Sequence, residues 1–424
     1  MEQQAPSILL MCLGFLLADF YLIGGVRAGL KNWKFARSRA FTRLYWIISA
    51  GFIAGLFLSI FRHMGLGVRS VFLLGFFLMA IGKMMFLPFI LIDDVRRLII
   101  WLKKKTHKEE KPARQPGPYD IPRSEFLMKA GLLAGSIPLG GIVYGTISGV
   151  YDYQVKHRTL YLPNLPKAFD GIKLGQISDI HSGSFYNKRA VTGGVELLMK
   201  EKPDFIFFTG DLVNSRTSEM NGYQDIFSKV KAPLGVYSSL GNHDYGDYAN
   251  WPTEQASNKN FQDILDTHKN MGWNLLRNEN RRLKVDGEEI GILGVENWGS
   301  LSRFPKRGRL DLATKNTDDL PVKLLLSHDP SHWRAQVLDH PDIDVMFAGH
   351  THGMQFGVQT KYFQWSPIQY IYKEWAGLYR EGKQQLYVNV GYGFLGYPGR
   401  LGMLPEITIF ELKAAADPSL SNQA

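Results

Sequence analysis

The chain has 424 residues, more than one ordinary domain requires. Hydrophobic residues make up 45% and charged residues 21%, a composition that excludes a disordered protein. The formal net charge is +10, but much of the basic excess lies beside long apolar runs in the first 130 residues, which favours a membrane protein over a nucleic-acid binder. Cys12 is the only cysteine in the sequence, so a disulfide within the chain and a cysteine zinc site are excluded. Any metal would be held by His, Asp, Asn or Glu.

Four apolar runs before residue 151 predict an all-α transmembrane region of about four helices. The runs cover approximately residues 7–26, 44–61, 68–92 and 126–150. A membrane-spanning helix needs about 20 predominantly apolar residues, which each run approaches. We therefore predict about three helices within residues 1–105, a polar and proline-rich linker over 106–125, and a fourth transmembrane or anchor helix over 126–150.

Two charged residues, Asp19 and Lys83, lie inside these runs. We expect their side chains to snorkel or to sit near helix ends rather than to form a buried pair. The basic segment 96–105 reads RRLIIWLKKK. It fits an interfacial amphipathic helix and the basic end of the third span equally well.

The basic residues between the runs predict an orientation in the membrane. The loop after the first run holds six cations and no acidic residue, and the third run is followed by another basic group. Because cytoplasmic loops carry the excess of Lys and Arg, both segments are placed in the cytoplasm. We predict a multi-pass protein of the cell membrane whose residues after 151 are extracytoplasmic. If the fourth run lay on the inner face instead, those residues would be cytoplasmic.

The chain after residue 157 alternates short apolar runs with longer mixed segments, which is typical of an α/β sheet covered on both faces. We predict one domain over 157–413 and a flexible tail over 414–424. The runs expected to form strands are 172–178, 204–210, 235–241, 290–295, 322–327, 344–349 and 386–391.

Five of these runs end in polar clusters that contain potential metal ligands. Ligands of open α/β sheets bind at the carboxyl ends of strands, so the clusters are expected to share one rim. Glycines precede three of the candidates and allow close backbone approach. One Asp-x-His is usually a loop or cap motif, but five ordered clusters favour a metal site. The candidates are Asp179, His181, Asp211, Asn242, His328, His350 and His352.

Seven ligands are too many for one tetrahedral site. Two metal ions about 3.5–4 Å apart that share one carboxylate would use them all. Carboxylate and imidazole groups suit divalent Mn, Zn or Fe. We therefore expect two divalent metal ions as cofactors.

The ordered motifs SDIHSG, TGDLVN, LGNHDY, LSHDP and AGHTHG resemble the calcineurin-like metallophosphoesterase superfamily over about residues 170–410. The resemblance implies a four-layer αββα sandwich. It also implies two metal sites that share Asp211. One site would use Asp179, His181, Asp211 and His352, and the other would use Asp211, Asn242, His328 and His350.

The stretch VNVGYGFLGYPGRLGMLPEITIFEL is similar to membrane-associated phosphodiesterases of the bacterial YkuE/YaeI type. The chain departs from that type at residues 295–297, where relatives often carry an Asp-rich turn, and in its multi-helix N-terminus.

These features predict a membrane-anchored hydrolase of a phosphodiester, phosphomonoester or pyrophosphate, with lipid-linked phosphates among the candidate substrates. His243 would act as the general acid. Asp244 would orient His243 or serve as a structural cap. Arg400 would clamp a phosphate or form a surface salt bridge. The expected partners are the lipid bilayer and the phosphate-ester substrate, and neither nucleic acid nor a protein partner is predicted.

Other functions remain as alternatives. A membrane-bound binding or scaffold protein could use the same metal-binding phosphoesterase fold. A protein Ser/Thr phosphatase is disfavoured, because the chain carries GDLVNSR and GNHD where those enzymes carry GDxVDRG and GNHE. A nuclease would need a basic, aromatic-interleaved segment, and a transport path would need more polar residues in the helices. Four apolar or aromatic residues near the C-terminus would either pack in the core or contact lipid acyl chains, namely Tyr392, Phe394, Leu395 and Tyr397.

Overall fold

The computed structural model describes residues 5–61, 66–106, 123–360 and 363–415. Most of the predicted linker and of the predicted C-terminal tail lies outside these residues. The chain divides into two compact units, Met1–Tyr144 and Gly145–Ala424.

The first unit is helical. Four of the described helices are long and apolar enough to cross a membrane, which confirms the four predicted runs. The third is continuous through the basic segment 96–105, which is therefore the end of that helix and not a separate one. At about 1.5 Å per residue its 41 residues reach about 60 Å, roughly twice the thickness of a bilayer core. The helices are α1 (Ala5–Gly29), α2 (Arg39–Phe61), α3 (Leu66–Thr106) and α4 (Arg123–Ile147).

A buried polar cluster joins the first three helices. The carboxylate of Asp19 on α1 is fully buried and accepts hydrogen bonds from the hydroxyls of Tyr45, at 2.6 Å, and Ser49 on α2. The ammonium of Lys83 on α3 lies 2.7 Å from the same carboxylate. The expectation that Asp19 and Lys83 snorkel is therefore wrong. Their helices bring them together, and pairing offsets the cost of a charge in an apolar setting.

The second unit is built on strands. The strands are β1 (Gln154–Tyr161), β2 (Lys173–Ile177), β3 (Phe205–Phe208), β4 (Val236–Ser238), β5 (Asn274–Leu275), β6 (Glu279–Val285), β7 (Glu288–Gly294), β8 (Lys323–Leu326), β9 (Val345–Ala348), β10 (Val358–Gln359), β11 (Gln364–Trp365), β12 (Gly377–Glu381), β13 (Gln384–Val388) and β14 (Glu406–Lys413). One six-stranded sheet has the order β1-β14-β2-β3-β4-β5, and the other has the order β12-β13-β9-β8-β7-β6. Strands β10 and β11 form a separate antiparallel pair.

The two sheets pack face to face between layers of helices. Phe205, Phe207, Leu324 and Phe347 belong to one buried apolar cluster that draws on both sheets. Further apolar clusters join each sheet to helices. This arrangement confirms the predicted four-layer αββα sandwich. The helices of the second unit are α5 (Lys188–Lys200), α6 (Gln224–Phe227), α7 (Glu254–Met271), α8 (Leu310–Ala313) and α9 (Ser331–Ala335).

All seven predicted apolar runs form strands, namely β2, β3, β4, β7, β8, β9 and β13. The first three are parallel neighbours in one sheet, and the other four are parallel neighbours in the second sheet. Parallel strands end at the same edge, so each sheet delivers its polar clusters to one rim. The side-chain amide of Gln176 on β2 donates to the carbonyl of Ala348 on β9, at 3.1 Å, and ties the two rims together.

We expect Lys83→Met to lower the stability of the full-length protein in detergent by about 3–5 kcal/mol, because it leaves Asp19 buried without a cation. The midpoint of thermal unfolding measures the effect. The double variant Asp19→Asn/Lys83→Met removes both charges and should recover most of the loss. A single variant as stable as wild type would show that the ion pair does not stabilise the helices.

Candidate metal centre

Two groups of buried or nearly buried side chains meet at the rim, and each could hold a metal ion. Within each group, the potential ligand atoms all lie within 4.8 Å of one another. The first group is Asp179, His181 and His352, and the second group is Asp211, His328 and His350.

The carboxylate of Asp211, which belongs to the second group, also reaches the first. Its Oδ2 is 3.4 Å from Nε2 of His181 in the first group and 3.1 Å from Nε2 of His328 in the second. Two groups that share one carboxylate form the arrangement of a dinuclear centre, in which one anion bridges two cations.

Asn242 supplies the last of the seven predicted ligand atoms. Its Oδ1 is buried and has no hydrogen-bond partner in the described part of the chain, while its Nδ2 donates to the hydroxyl of Tyr248 at 3.0 Å. A buried acceptor without a donor is costly, and a cation would satisfy it. The residues therefore fit a pair of divalent metal ions, and the mixed oxygen and nitrogen donors suit Mn, Zn or Fe alike.

Neighbouring groups fix the orientation of the imidazoles. His328 donates from Nδ1 to the carbonyl of Thr209 at 2.7 Å, which turns Nε2 towards Asp211. Nε2 of His350 lies 2.9 Å from the hydroxyl of Tyr372, and Nδ1 faces Nε2 of His328 at 3.3 Å. Such outer partners select the tautomer and hold the ring of a metal ligand.

Opposite charges dominate the electrostatics of this centre. Burial alone would raise the pKa of Asp211, but the imidazoles of His328 and His243 outweigh it and hold that pKa well below its ordinary value. Burial alone would lower the pKa of His328, but Asp211 and Asp179 raise it to about 10. Ionised Asp211 and protonated His328 thus stabilise each other's charge.

The backbone is strained at five of the seven ligand positions. The φ angles are +51° at Asp179, +48° at His181, +60° at Asp211, +71° at His350 and +52° at His352. Residues other than glycine seldom adopt this left-handed conformation, which costs about 1–3 kcal/mol where the surroundings enforce it. Strain of this kind clusters at functional sites, so the backbone marks the rim independently of the side chains.

Two of the glycines before ligands are required by space. A Cβ at Gly241 would lie 2.2 Å from Oδ1 of Asp211, and one at Gly349 would lie 2.2 Å from Oδ2 of Asp179. Real Cβ atoms do not approach so closely. The predicted close approach of the backbone is therefore confirmed at these positions.

His243 lines a pocket of about 330 Å³ that also contains Asp211, Asn242, His350 and His352. Its Nδ1 lies 2.6 Å from the carbonyl of Asn214. A carbonyl only accepts, so Nδ1 carries the proton of this bond and Nε2 is free for a ligand in the pocket. Burial lowers the pKa of His243.

Asp244 does not orient the ring of His243. Its buried carboxylate accepts from the backbone N–H groups of Asp211, Leu212 and Gly241 at 2.8–2.9 Å. It therefore connects two ligand loops, which is the structural alternative to the predicted catalytic role. Burial and the nearby Asp211 carboxylate raise the pKa of Asp244 to about 7.

Arg400 does not face the pocket, so the prediction that it clamps a phosphate is wrong. Its guanidinium is fully buried and donates to the carbonyls of Gly393, Met403 and Val390. Its Nη2 also lies 3.2 Å from Nδ1 of His352. Arg400 thus holds the C-terminal loop against His352, one of the candidate metal ligands.

Arg303 and Phe304 line the pocket and were not predicted from the sequence. The ring of Phe304 stands edge-on to His350 at 4.7 Å, and the guanidinium of Arg303 lies 4.7 Å from the Phe304 ring. They belong to the irregular segment between β7 and α8. No sequence motif marks these two residues. Only the position of their segment after a strand that ends at the rim could have indicated a place near the site.

Both units match models of known protein families. Residues 5–150 match the family model described as "Probable Calcineurin-like phosphoesterase, transmembrane domain". Residues 172–354 match the model of the calcineurin-like phosphoesterases.

Three curated relatives support the match. The metallophosphoesterase YkuE of Bacillus subtilis is 28% identical over 69% of this chain and 98% of its own length. A transmembrane protein with a metallophosphoesterase domain from Danio rerio is 27% identical over 64% of this chain, which spans 60% of that relative. Phosphodiesterase YaeI of Escherichia coli is 25% identical over 69% of this chain and 99% of its own length.

We expect the purified full-length protein to bind two divalent metal ions per chain and Asp211→Asn to bind fewer, because the amide cannot supply the shared negative charge. Elemental analysis after dialysis against Mn²⁺ measures the content. The control Asp225→Asn makes the same change at an exposed position on α6 and should bind two. Wild-type metal content in Asp211→Asn would exclude the shared carboxylate.

Proposed function

Because the chain belongs to the calcineurin-like phosphoesterase family, we propose that it is a membrane-anchored phosphoester hydrolase with two divalent metal ions. The position of the Asp211 carboxylate between two groups of ligands carries this proposal. The basic connection between α1 and α2 and the basic C-terminal end of α3 support an extracytoplasmic catalytic unit.

The two ions would share Asp211. Asp179, His181 and His352 would complete one site, and Asn242, His328 and His350 would complete the other. Bound there, divalent cations neutralise the phosphate oxygens and make a water molecule a stronger nucleophile. The protein's own part is to keep these seven donors in place, through hydrogen bonds such as the one from His328 to Thr209.

His243 is the proposed general acid. It lines the pocket beside both ligand groups, and the bond from its Nδ1 to the carbonyl of Asn214 leaves Nε2 free for the substrate. Protonated at Nε2, it would donate to the oxygen of the leaving group as the P–O bond breaks. A positioned acid of this kind typically contributes about 10²–10⁴-fold to the rate.

Arg303 is the proposed substrate anchor in place of Arg400. It is exposed at the pocket, and its planar guanidinium can bind two oxygens of one phosphate.

The pocket also has an apolar wall formed by Phe304, Ile368 and Leu395. An anion site beside an apolar wall suits a phosphoester that carries a hydrocarbon group. Together with the membrane helices, this supports a lipid-linked phosphate as the substrate, such as a phospholipid or a lipid-carrier pyrophosphate. Of the aromatic residues considered for acyl-chain contact, Tyr392 and Phe394 are instead core residues.

We expect His243→Ala to hydrolyse an aryl phosphodiester with Mn²⁺ about 10²–10⁴-fold more slowly than wild type while binding the same amount of metal. The loss should be largest for esters with poor leaving groups, because these depend most on the acid. His157→Ala changes an exposed histidine and serves as the control. Wild-type turnover in His243→Ala would contradict the role of His243 as the general acid. A metal-loaded wild type that cleaves no phosphoester would favour the binding or scaffold alternative.

We expect Arg303→Gln to raise KM about 10–100-fold with a smaller change in kcat, because charge-assisted hydrogen bonds contribute about 1.5–3 kcal/mol to binding. Steady-state kinetics on the same diester measure both constants. Arg309→Gln is the matched control, since Arg309 is an exposed arginine paired with Asp311. An unchanged KM in Arg303→Gln would contradict the anchor.

A further inference from the structure

One surface segment of the second unit exposes six large apolar side chains. Their exposed fractions run from 41% for Phe356 to 77% for Tyr370. A soluble domain rarely exposes a contiguous group of this kind unless a protein or a membrane covers it. We call these residues the apolar patch, which consists of Met354, Phe356, Val358, Phe363, Tyr370 and Ile371.

Local contacts hold the patch together as one surface. Val358 on β10 pairs with Trp365 on β11, and the ring of Trp365 lies 6.3 Å from that of Phe356. The indole nitrogen of Trp365 lies 3.5 Å from the hydroxyl of Tyr370. The hydroxyl of Ser366 donates to the carbonyl of Gly353 at 2.8 Å, which joins the start of the segment to its second half.

The patch borders the metal centre. Its segment begins directly after the ligand His352, and Ile368 and Tyr372 of the same segment line the pocket. Tyr372 also holds the ligand His350 through its hydroxyl. Whatever covers the patch will therefore lie at the edge of the pocket.

We propose that the apolar patch inserts into the interfacial layer of the bilayer that anchors the protein. Tyr370 and the adjoining Trp365, whose indole nitrogen lies 3.5 Å from the Tyr370 hydroxyl, are the types that concentrate at membrane–water interfaces, where an apolar ring and a polar tip are both accommodated. The exposed cation Lys373 lies two residues after Ile371 and complements lipid phosphate. A membrane is also available to this chain, because four of the described helices are able to span one.

Insertion of the patch presents the mouth of the pocket to lipid headgroups. This consequence rests on the proposed hydrolase function, whereas insertion itself does not. In this proposal the bilayer covers the exposed apolar surface, and a second copy of the chain does not.

A fluorescent label at the patch tests insertion in the full-length protein. Cys12→Ser removes the only native cysteine, and Tyr370→Cys then introduces one position for an environment-sensitive dye. The control is Leu312→Cys, which labels an exposed leucine of α8 outside the patch. Each protein is reconstituted into vesicles of phosphatidylcholine and phosphatidylglycerol, with and without lipids that carry a quencher near the headgroup.

We expect a severalfold loss of emission at position 370 in the quencher vesicles, a shift to shorter wavelength, and little change at position 312. Equal emission at position 370 with and without quencher would overturn the proposal. A detergent-solubilised dimer that Tyr370→Asp converts to monomer, without quenching by lipid, would assign the patch to a second copy and would also overturn it.

A second experiment separates insertion from the hydrolase function. Phe363→Asp/Tyr370→Asp should leave the turnover of a soluble aryl phosphodiester unchanged and strongly reduce consumption of vesicle lipids, followed by mass spectrometry. Quenching at position 370 with no lipid consumed by wild type would sustain insertion and contradict a lipid substrate. Lipid consumption that survives the double variant, with no quenching at position 370, would contradict insertion and sustain the hydrolase.

Discussion

The candidate metal centre depends on one carboxylate that side chains from both sheets approach. Asp211 follows β3 of the first sheet, yet its Oδ2 lies 3.1 Å from His328, which follows β8 of the second. His181 approaches the same oxygen from the end of β2 at 3.4 Å. The dinuclear arrangement thus exists only while the two sheets keep their packing and register. The buried apolar cluster between the sheets, which includes Phe207 and Phe347, is for this reason also a support of the site.

The same constraint explains the backbone of the rim. A carboxylate that must meet imidazoles from both sheets has little freedom, so its residue adopts a left-handed conformation, as do four other ligand residues. Gly241 and Gly349 leave room where a Cβ would strike the Asp211 or Asp179 carboxylate. Asp244 then joins the loops of Asp211 and Gly241 by accepting their N–H groups. The strained backbone, the two glycines and the buried carboxylate of Asp244 together keep the potential ligand atoms in one geometry.

Features that depend on neighbouring residues in the chain could be predicted from the sequence. Features made by contacts between distant residues could not. Apolar runs and the polar clusters after them are local, and they predicted all seven rim strands and the residues that gather at the rim. The orientation of His243 by a carbonyl, the burial of Arg400 and the place of Arg303 in the pocket arise from tertiary packing. Residue type is a poor guide in such cases, because one arginine serves equally as a ligand clamp and as a donor to backbone carbonyls. The Asp19 and Lys83 pair, 64 residues apart in sequence, was missed for the same reason.

That pair has a consequence for how the protein is made. Ribosomes deliver α1 first, and Asp19 then meets the hydrocarbon region before Lys83 has been synthesised. A charge at the centre of a single helix costs about 2.5–3.5 kcal/mol on insertion scales. The hydroxyls of Tyr45 and Ser49 arrive with α2 and relieve part of this cost, and the cation arrives only with α3. We therefore expect the three helices that share this cluster to be released into lipid together rather than one at a time.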